Sequence, residues 1–170
     1  KVLVRVDFNV PMDKETVGEV VIFAPNKSTF AYYDNPKTTE EKFHNGWLYT
    51  GDLATWDEHA YITIIGRKDD MIVSAGENIY PVQVESILNE HPKVAESLVF
   101  GIPDPKRGSV IAALIRPSDP SLTEKEMKQF CMNHPMLAPY KRPRIFRFVK
   151  ELPHNATGKL LHKLPPDFKF

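Results

Sequence analysis

The sequence predicts an α+β fold: a small C-terminal domain of helices packed on a sheet, preceded by a β-rich stretch. Three observations carry this reading. After Gly66 the local patterns run strand, helix, strand, strand, helix, strand. Thr123 and Glu126 form a capping box ahead of the apolar stripe Met127, Phe130 and Cys131. Before Gly66, a β-branched run at 17–24 is followed by three short strand-like runs with turn residues between them.

Taken in order, residues 17–24 (VGEVVIFA) read as a strand stopped by Pro25-Asn26. Residues 38–43 fit one short helix with Thr38 as its cap and Glu41 three positions on. Runs at 47–50, 54–57 and 61–65 fit a hairpin arrangement with turns at Gly51-Asp52 and at residues 57–59. The charge cluster Arg67-Lys68-Asp69-Asp70 lies between two β-like runs, 61–65 and 71–74, and marks the expected domain boundary. The division is 1–16 as a leader, 17–68 as a β-rich segment and 69–170 as the α+β domain.

Pro81 suits the first position of a helix, and Val84, Ile87 and Leu88 share one face before His91-Pro92 ends it. Strands follow at 94–102 and 110–116, bounded by prolines and by the 103–108 turn. In the next helix, Leu122 and Met127 are placed to form a hydrophobic staple across the Thr123 cap. A last strand at 144–150 precedes the turn-rich residues 153–158. Fifteen prolines spread along 170 residues punctuate many short elements; no repeat or low-complexity tract is present.

Composition narrows the function classes. A hydrophobic fraction of 42% with 11% aromatic residues supports a packed core and argues against a disordered tail. Lys plus Arg equals Asp plus Glu at 22 each, so no overall charge recommends nucleic acid or an anionic membrane as partner. One cysteine, Cys131, cannot close an internal disulfide, and no signal-like segment opens the chain. The expected location is the cytoplasm. No apolar run approaches the roughly 20 residues of a membrane-spanning helix.

Three clusters carry chemistry. In Gly46-Trp47-Leu48-Tyr49-Thr50-Gly51-Asp52 a carboxylate stands beside a glycine, where it can accept hydrogen bonds from a vicinal diol or hold its own turn. Residues 65–81 (IGRKDDMIVSAGENIYP) place Arg67 after a glycine, where its planar fork suits a nucleotide or simply solvates a charged hairpin. Gly76 in the same run permits a sharp bend or close approach of a ligand. In Pro153-His154-Asn155-Ala156-Thr157-Gly158-Lys159 a lysine on a glycine turn can stabilise charge developing on a phosphate or carboxylate, or be an ordinary surface lysine. It is not a Walker loop, since the two-glycine GxxxxGK[ST] pattern is missing.

In order and spacing the three clusters resemble the late motifs of the adenylate-forming superfamily, which includes acyl- and aryl-CoA synthetases, peptide-synthetase adenylation domains and luciferases. The resemblance runs from Val17 to Lys163, with family-like fillers such as Gly101-Ile102-Pro103-Asp104 and residues 138–143 (APYKRP). It implies the C-terminal part of an ATP-dependent acyl-CoA synthetase, with fatty or other hydrophobic acids as expected substrates. Such an enzyme makes an acyl-adenylate from ATP, with magnesium, and then a CoA thioester. By the same resemblance Lys159 is catalytic, Asp52 and Arg67 bind the nucleotide, Asp69 is the hinge of the mobile domain, and Gly76 with Glu77 lines the CoA channel. No metal ligand is expected in this chain. Its partners are the small carboxylic acid, ATP, CoA and the large N-terminal domain, which carries the phosphate loop, so this part alone is expected to be inactive.

Two departures stand out. Residues 1–12 (KVLVRVDFNVPM) instead resemble the opening strand of phosphoglycerate kinase; they read as a foreign leader able to add a β-strand, with no function assigned to Arg5, Asp7 or Asn9. After Lys159, Leu160-Leu161-His162-Lys163 lacks the arginine that often follows in the superfamily. The competing readings are a stand-alone nucleotide- or CoA-binding module and an adenylation domain that loads a carrier protein.

Overall fold

The computed structural model describes residues 3–7, 17–23, 31–57, 59 and 61–162. The chain divides into two compact units, Lys1–Asp69 and Asp70–Phe170.

The first unit is built on an antiparallel sheet. Its strands are β1 (Leu3–Asp7), β2 (Gly18–Phe23), β3 (Phe43–His44), β4 (Trp47–Trp56) and β5 (Ile62–Arg67), in the order β1-β2-β4-β3 with β5 also on β4. The leader expectation is met at 3–7 to this extent: that backbone pairs with β2 from Leu3↔Phe23 to Asp7↔Glu19. Asn9 and the rest of the leader, the Pro25-Asn26 turn and Glu58 of the 57–59 turn lie outside the described residues.

Helix α1 (Pro36–Lys42) starts two residues before the expected position. Asn35 takes the cap, its side-chain oxygen accepting the Thr38 N–H at 3.0 Å, and Pro36 needs no hydrogen bond at the first turn. A second correction concerns β4, which runs unbroken through Gly51-Asp52 where two strands and a turn were expected. The chain absorbs Gly51, at φ +78°, as a bulge, taking four steps from Tyr49 to Leu53 while β2 takes two from Val21 to Glu19.

The second unit begins with a hairpin of β6 (Ile72–Ser74) and β7 (Glu77–Ile79), the latter not foreseen as a strand. Helix α2 (Pro81–Leu88), strands β8 (Val94–Asp104) and β9 (Gly108–Pro117), helix α3 (Glu124–Asn133) and strand β10 (Ile145–Phe148) follow. The sheet order is β10-β9-β8; β8 and β9 are antiparallel, and β10 is parallel to β9. A parallel neighbour needs a crossover, and α3 with its flanking loops supplies it. This is the expected α+β architecture.

Alternation along β8 and β9 sorts the core into two clusters. Val99, Ile111, Ala113 and Ile115 join Val84 and Leu88 of α2 and Met127 and Cys131 of α3. Leu98, Phe100, Ala112 and Leu114 join Leu152 and the partly buried Leu160. Thr123 caps α3 by accepting the Glu126 N–H at 3.2 Å, and Leu122 and Met127 are both buried beside it. The Glu126 carboxylate turns instead to Lys93 at 3.0 Å. Cys131 is enclosed here, and burial pushes its thiol up to about 11, so it has little thiolate with which to react at neutral pH.

Candidate functional site

Asp52 and Arg67 face each other across β4 and β5, and Arg67 Nη1 donates to Asp52 Oδ1 at 2.7 Å. Hydrogen bonds at the Gly51 bulge hold the backbone just before Asp52. Thr50 Oγ1 donates to the Val20 carbonyl at 2.8 Å and accepts the Asp52 N–H at 3.0 Å, while Glu19 Oε1 accepts the Gly51 N–H at 3.0 Å. Glu19 Oε2 in turn accepts from Lys68 Nζ at 3.1 Å. A carboxylate has about four acceptor positions, so one contact from Arg67 leaves Asp52 able to receive hydroxyl donors. Beside this network lies an open cleft of about 550 Å³ lined by Glu19, Lys42, Tyr49 and Lys68 among others.

Gly51 cannot be replaced here without a local change. A Cβ at this position would stand 2.9 Å from Arg67 Nη2 and 3.3 Å from Lys42 Nζ, in a backbone conformation that L residues resist. Gly51→Ala is therefore expected to cost about 1–2 kcal/mol from the left-handed backbone and to drive Arg67 away from Asp52. Urea unfolding together with a crystal structure of the variant checks this; an unchanged midpoint with the Asp52–Arg67 contact intact would contradict it.

Asp69 lies in a one-turn 3-10 helix, Lys68–Asp70, with its residue exposed at the last position of the first unit. Gly76 and Glu77 are also exposed. Ala75 at φ +52° and Gly76 at φ +86° form the two-residue turn between β6 and β7, a type that needs positive φ at both positions. The turn is fixed from below: Ala75 N–H donates to the Arg107 carbonyl at 2.8 Å, and Ser74 Oγ donates to the Ser109 carbonyl at 2.7 Å.

Lys159 is exposed at the end of a small hairpin closed by the isolated bridge between His154 and Leu160. Asn155 organises it. Its Oδ1 accepts the Thr157 N–H at 3.0 Å, the Thr157 hydroxyl at 2.7 Å and the Lys159 N–H at 2.8 Å, and Gly158 turns the chain at φ +80°. The Asn155 N–H donates to the Lys159 carbonyl at 2.9 Å, and the Leu161 N–H to the Pro153 carbonyl at 2.8 Å. The sequence pattern singled out the lysine and the glycine; the organising role of Asn155 is new.

Two histidines, neither marked by a sequence motif of its own, bracket the hairpin. His154 Nε2 lies 2.8 Å from Glu96 on β8, a hydrogen bond that raises the pKa of the exposed imidazole. His162 Nε2 lies 3.0 Å from Glu85 Oε1 on α2, and its Nδ1 lies 3.7 Å from Asp70. The hydrogen bond to Glu85 raises the His162 pKa, helped by the charges of Glu85 and Asp70 and opposed by burial. Glu85 is only 7% exposed, and its Oε1 also accepts the Val99 N–H at 2.7 Å. No local motif could have exposed this pair, since Glu85 and His162 are 77 residues apart.

The structure thus brings Asp52 and Arg67 into contact in the first unit, and sets Gly76, Glu77 and Lys159 on turns of the second. A cavity of about 570 Å³ lined by His91, Phe130 and His134 contains none of the motif residues. Among the described residues no group of three or more His, Cys, Asp or Glu can hold a metal ion, and no helix is long and apolar enough to cross a membrane.

Residues 83–159 match the family described as AMP-binding enzyme C-terminal domain. The 2-succinylbenzoate–CoA ligase of Bacillus cereus (strain Q1) is 45% identical over 148 residues, covering 87% of this chain and 30% of the relative. Its counterpart in Bacillus anthracis (strain A0248) is 44% identical over 146 residues, 86% of this chain and 30% of that protein. Among solved structures, o-succinylbenzoate CoA synthetase from Bacillus subtilis with its acyl-adenylate intermediate superposes with a TM-score of 0.86 at 35% identity. That match covers 99% of this chain and 34% of the synthetase. ATP-bound MatB from Rhodopseudomonas palustris gives a TM-score of 0.79 at 30% identity, over 94% of this chain and 32% of its own. The chain therefore spans about a third of the length of these proteins.

Proposed function

We propose, from the match of residues 83–159 to the family described as AMP-binding enzyme C-terminal domain, that this chain is the C-terminal part of an acid–thiol ligase. In this reading the enzyme couples ATP cleavage to formation of an acyl-adenylate and then an acyl-CoA. The observation that carries it is the Lys159 hairpin, a cation held out on an Asn155-ordered turn at the end of the matched residues. CoA is favoured over a carrier protein as acceptor because relatives at 43–45% identity are CoA ligases.

The substrate expectation needs correcting. Relatives at this level act on 2-succinylbenzoate, and none of those described is a fatty acid ligase; we therefore propose an aromatic dicarboxylate of the 2-succinylbenzoate class in place of a fatty acid. Nothing in residues 1–170 selected between them, since the family's acyl pocket is not among the motifs present.

In the first half-reaction Lys159 supplies positive charge where the acid's carboxylate attacks the α-phosphorus of ATP, offsetting charge that develops as pyrophosphate leaves. Asp52 accepts from the ribose hydroxyls while Arg67 holds it in orientation and donates to the same side of the nucleotide. Asp69 serves as the pivot that changes the orientation of the second unit between half-reactions, and the Gly76-Glu77 turn then lines the path of CoA. Magnesium enters with ATP, and its ligands lie outside the described residues in this reading.

The test is acid-dependent ATP–pyrophosphate exchange by the complete enzyme. Exchange with 2-succinylbenzoate should exceed exchange with a long-chain fatty acid by at least about 10²-fold, and residues 1–170 alone should show none. Equal exchange with the fatty acid would remove the substrate assignment, and exchange by residues 1–170 alone would remove the division of labour.

A further inference from the structure

We infer that His162 is a positioning residue for Lys159: its contacts with Glu85 and Asp70 fasten the exit of the lysine hairpin to α2 and to Asp70 at the start of the same unit. The inference rests on the reading of Lys159 as the adenylation lysine, and it goes beyond that reading by naming what holds the lysine in place.

The internal bonds of the hairpin, from Asn155 to Thr157 and Lys159 and from Leu161 to Pro153, set its shape but attach it to nothing else. Among the described residues, three contacts do the attaching. Leu160 packs on the Leu98, Phe100, Leu114 and Leu152 cluster, His154 meets Glu96, and His162 meets Glu85. The first is non-directional, and the second joins two side chains that are each only partly buried. The third is different: Glu85 is buried, and the same carboxylate oxygen that meets His162 also receives the Val99 N–H of β8. His162 lies three residues beyond Lys159, at most about 10 Å of extended chain. Releasing it therefore loosens the lysine directly.

The anchor depends on protonation. Glu85 from α2 and Asp70 from the Lys68–Asp70 turn are the titratable groups facing His162 among the described residues. An imidazolium can donate Nε2–H to Glu85 while presenting Nδ1–H toward Asp70; a neutral ring can donate from only one nitrogen. Because the native pKa of His162 lies above its ordinary value, the charged anchor is complete below about pH 6.5 and is lost as pH rises through the raised value. The superfamily's arginine would hold its charge throughout this range.

The experiment uses the complete ligase with His162→Gln, His162→Arg and, as reference, Lys159→Ala. Single-turnover adenylate formation is followed from about pH 5 to 8, and deuterium uptake is measured in peptides covering residues 155–161. His162→Gln should slow adenylation by about 10- to 100-fold at the acid end, the scale of a misplaced catalytic group, and raise uptake in the hairpin. His162→Arg should restore both and flatten the pH dependence. If His162→Gln matches wild type in rate and uptake at every pH, or if His162→Arg fails to restore a loss, the inference is overturned. If Lys159→Ala leaves adenylation intact, the reading of Lys159 fails, while the uptake of the His162 variants still decides whether the anchor exists.

Discussion

Leu98→Ala should lower the unfolding free energy of the Asp70–Phe170 unit by about 2–5 kcal/mol. Leu98 is fully buried on β8, directly opposite Leu114 of β9, in the cluster that includes Phe100, Ala112 and Leu152. Truncation removes the transfer free energy of the lost methyl groups and leaves a cavity between two strands whose ladder hydrogen bonds prevent collapse. With whole-domain stabilities near 5–15 kcal/mol, a loss of this size is a large fraction of the total. Leu160, next to Lys159, packs on the same cluster, so the hairpin should loosen before the unit melts. Urea denaturation should show a lowered midpoint with an unchanged slope. A loss under about 1 kcal/mol would mean that the Leu152 and Leu160 side of the sheet closes over the gap.

The second large effect concerns Lys159→Ala in the complete enzyme, where adenylate formation should slow by about 10²–10³-fold. A preorganised cation beside developing charge contributes more in the transition state than in the ground state, so the rate constant should fall much more than nucleotide affinity. The backbone at Lys159 is held on both sides of the exposed side chain: Asn155 Oδ1 accepts the Lys159 N–H, and the Asn155 N–H donates to the Lys159 carbonyl.

Much of this architecture was legible because its determinants are local. The Thr123 cap and the Leu122 and Met127 pair write the start of α3 into six consecutive residues, and Pro81 does the same for α2. Where two local signals competed, the reading slipped: Thr38 and Glu41 suggested a cap, but Asn35-Pro36 is the stronger start. At Gly51 the residue pair resembled a turn, whereas pairing with β2 and β5 on both sides of β4 keeps the strand continuous through a bulge.

The site divides along the same line. Asp52, Arg67, Gly76 and Lys159 were visible because each sits in a compact motif. Their supports were not. Arg67 reaches Asp52 across 15 positions, Glu19 reaches Gly51 across 32, and Glu85 reaches His162 across 77. A buried glutamate on an otherwise apolar helix face is the one sequence trace of the last pair, and Glu85 follows Val84 too closely to stand out from an ordinary amphipathic pattern.

The most direct measurement is a pair of single-turnover assays on Lys159→Ala in the complete ligase: ATP with 2-succinylbenzoate in one, and presynthesised acyl-adenylate with CoA in the other. The proposed role predicts a fall of about 10²–10³-fold in the first and nearly normal acyl transfer in the second, since in that proposal the lysine serves only adenylate formation. Equal losses in both assays would make Lys159 a structural residue, and no loss in either would contradict its assignment as the catalytic cation.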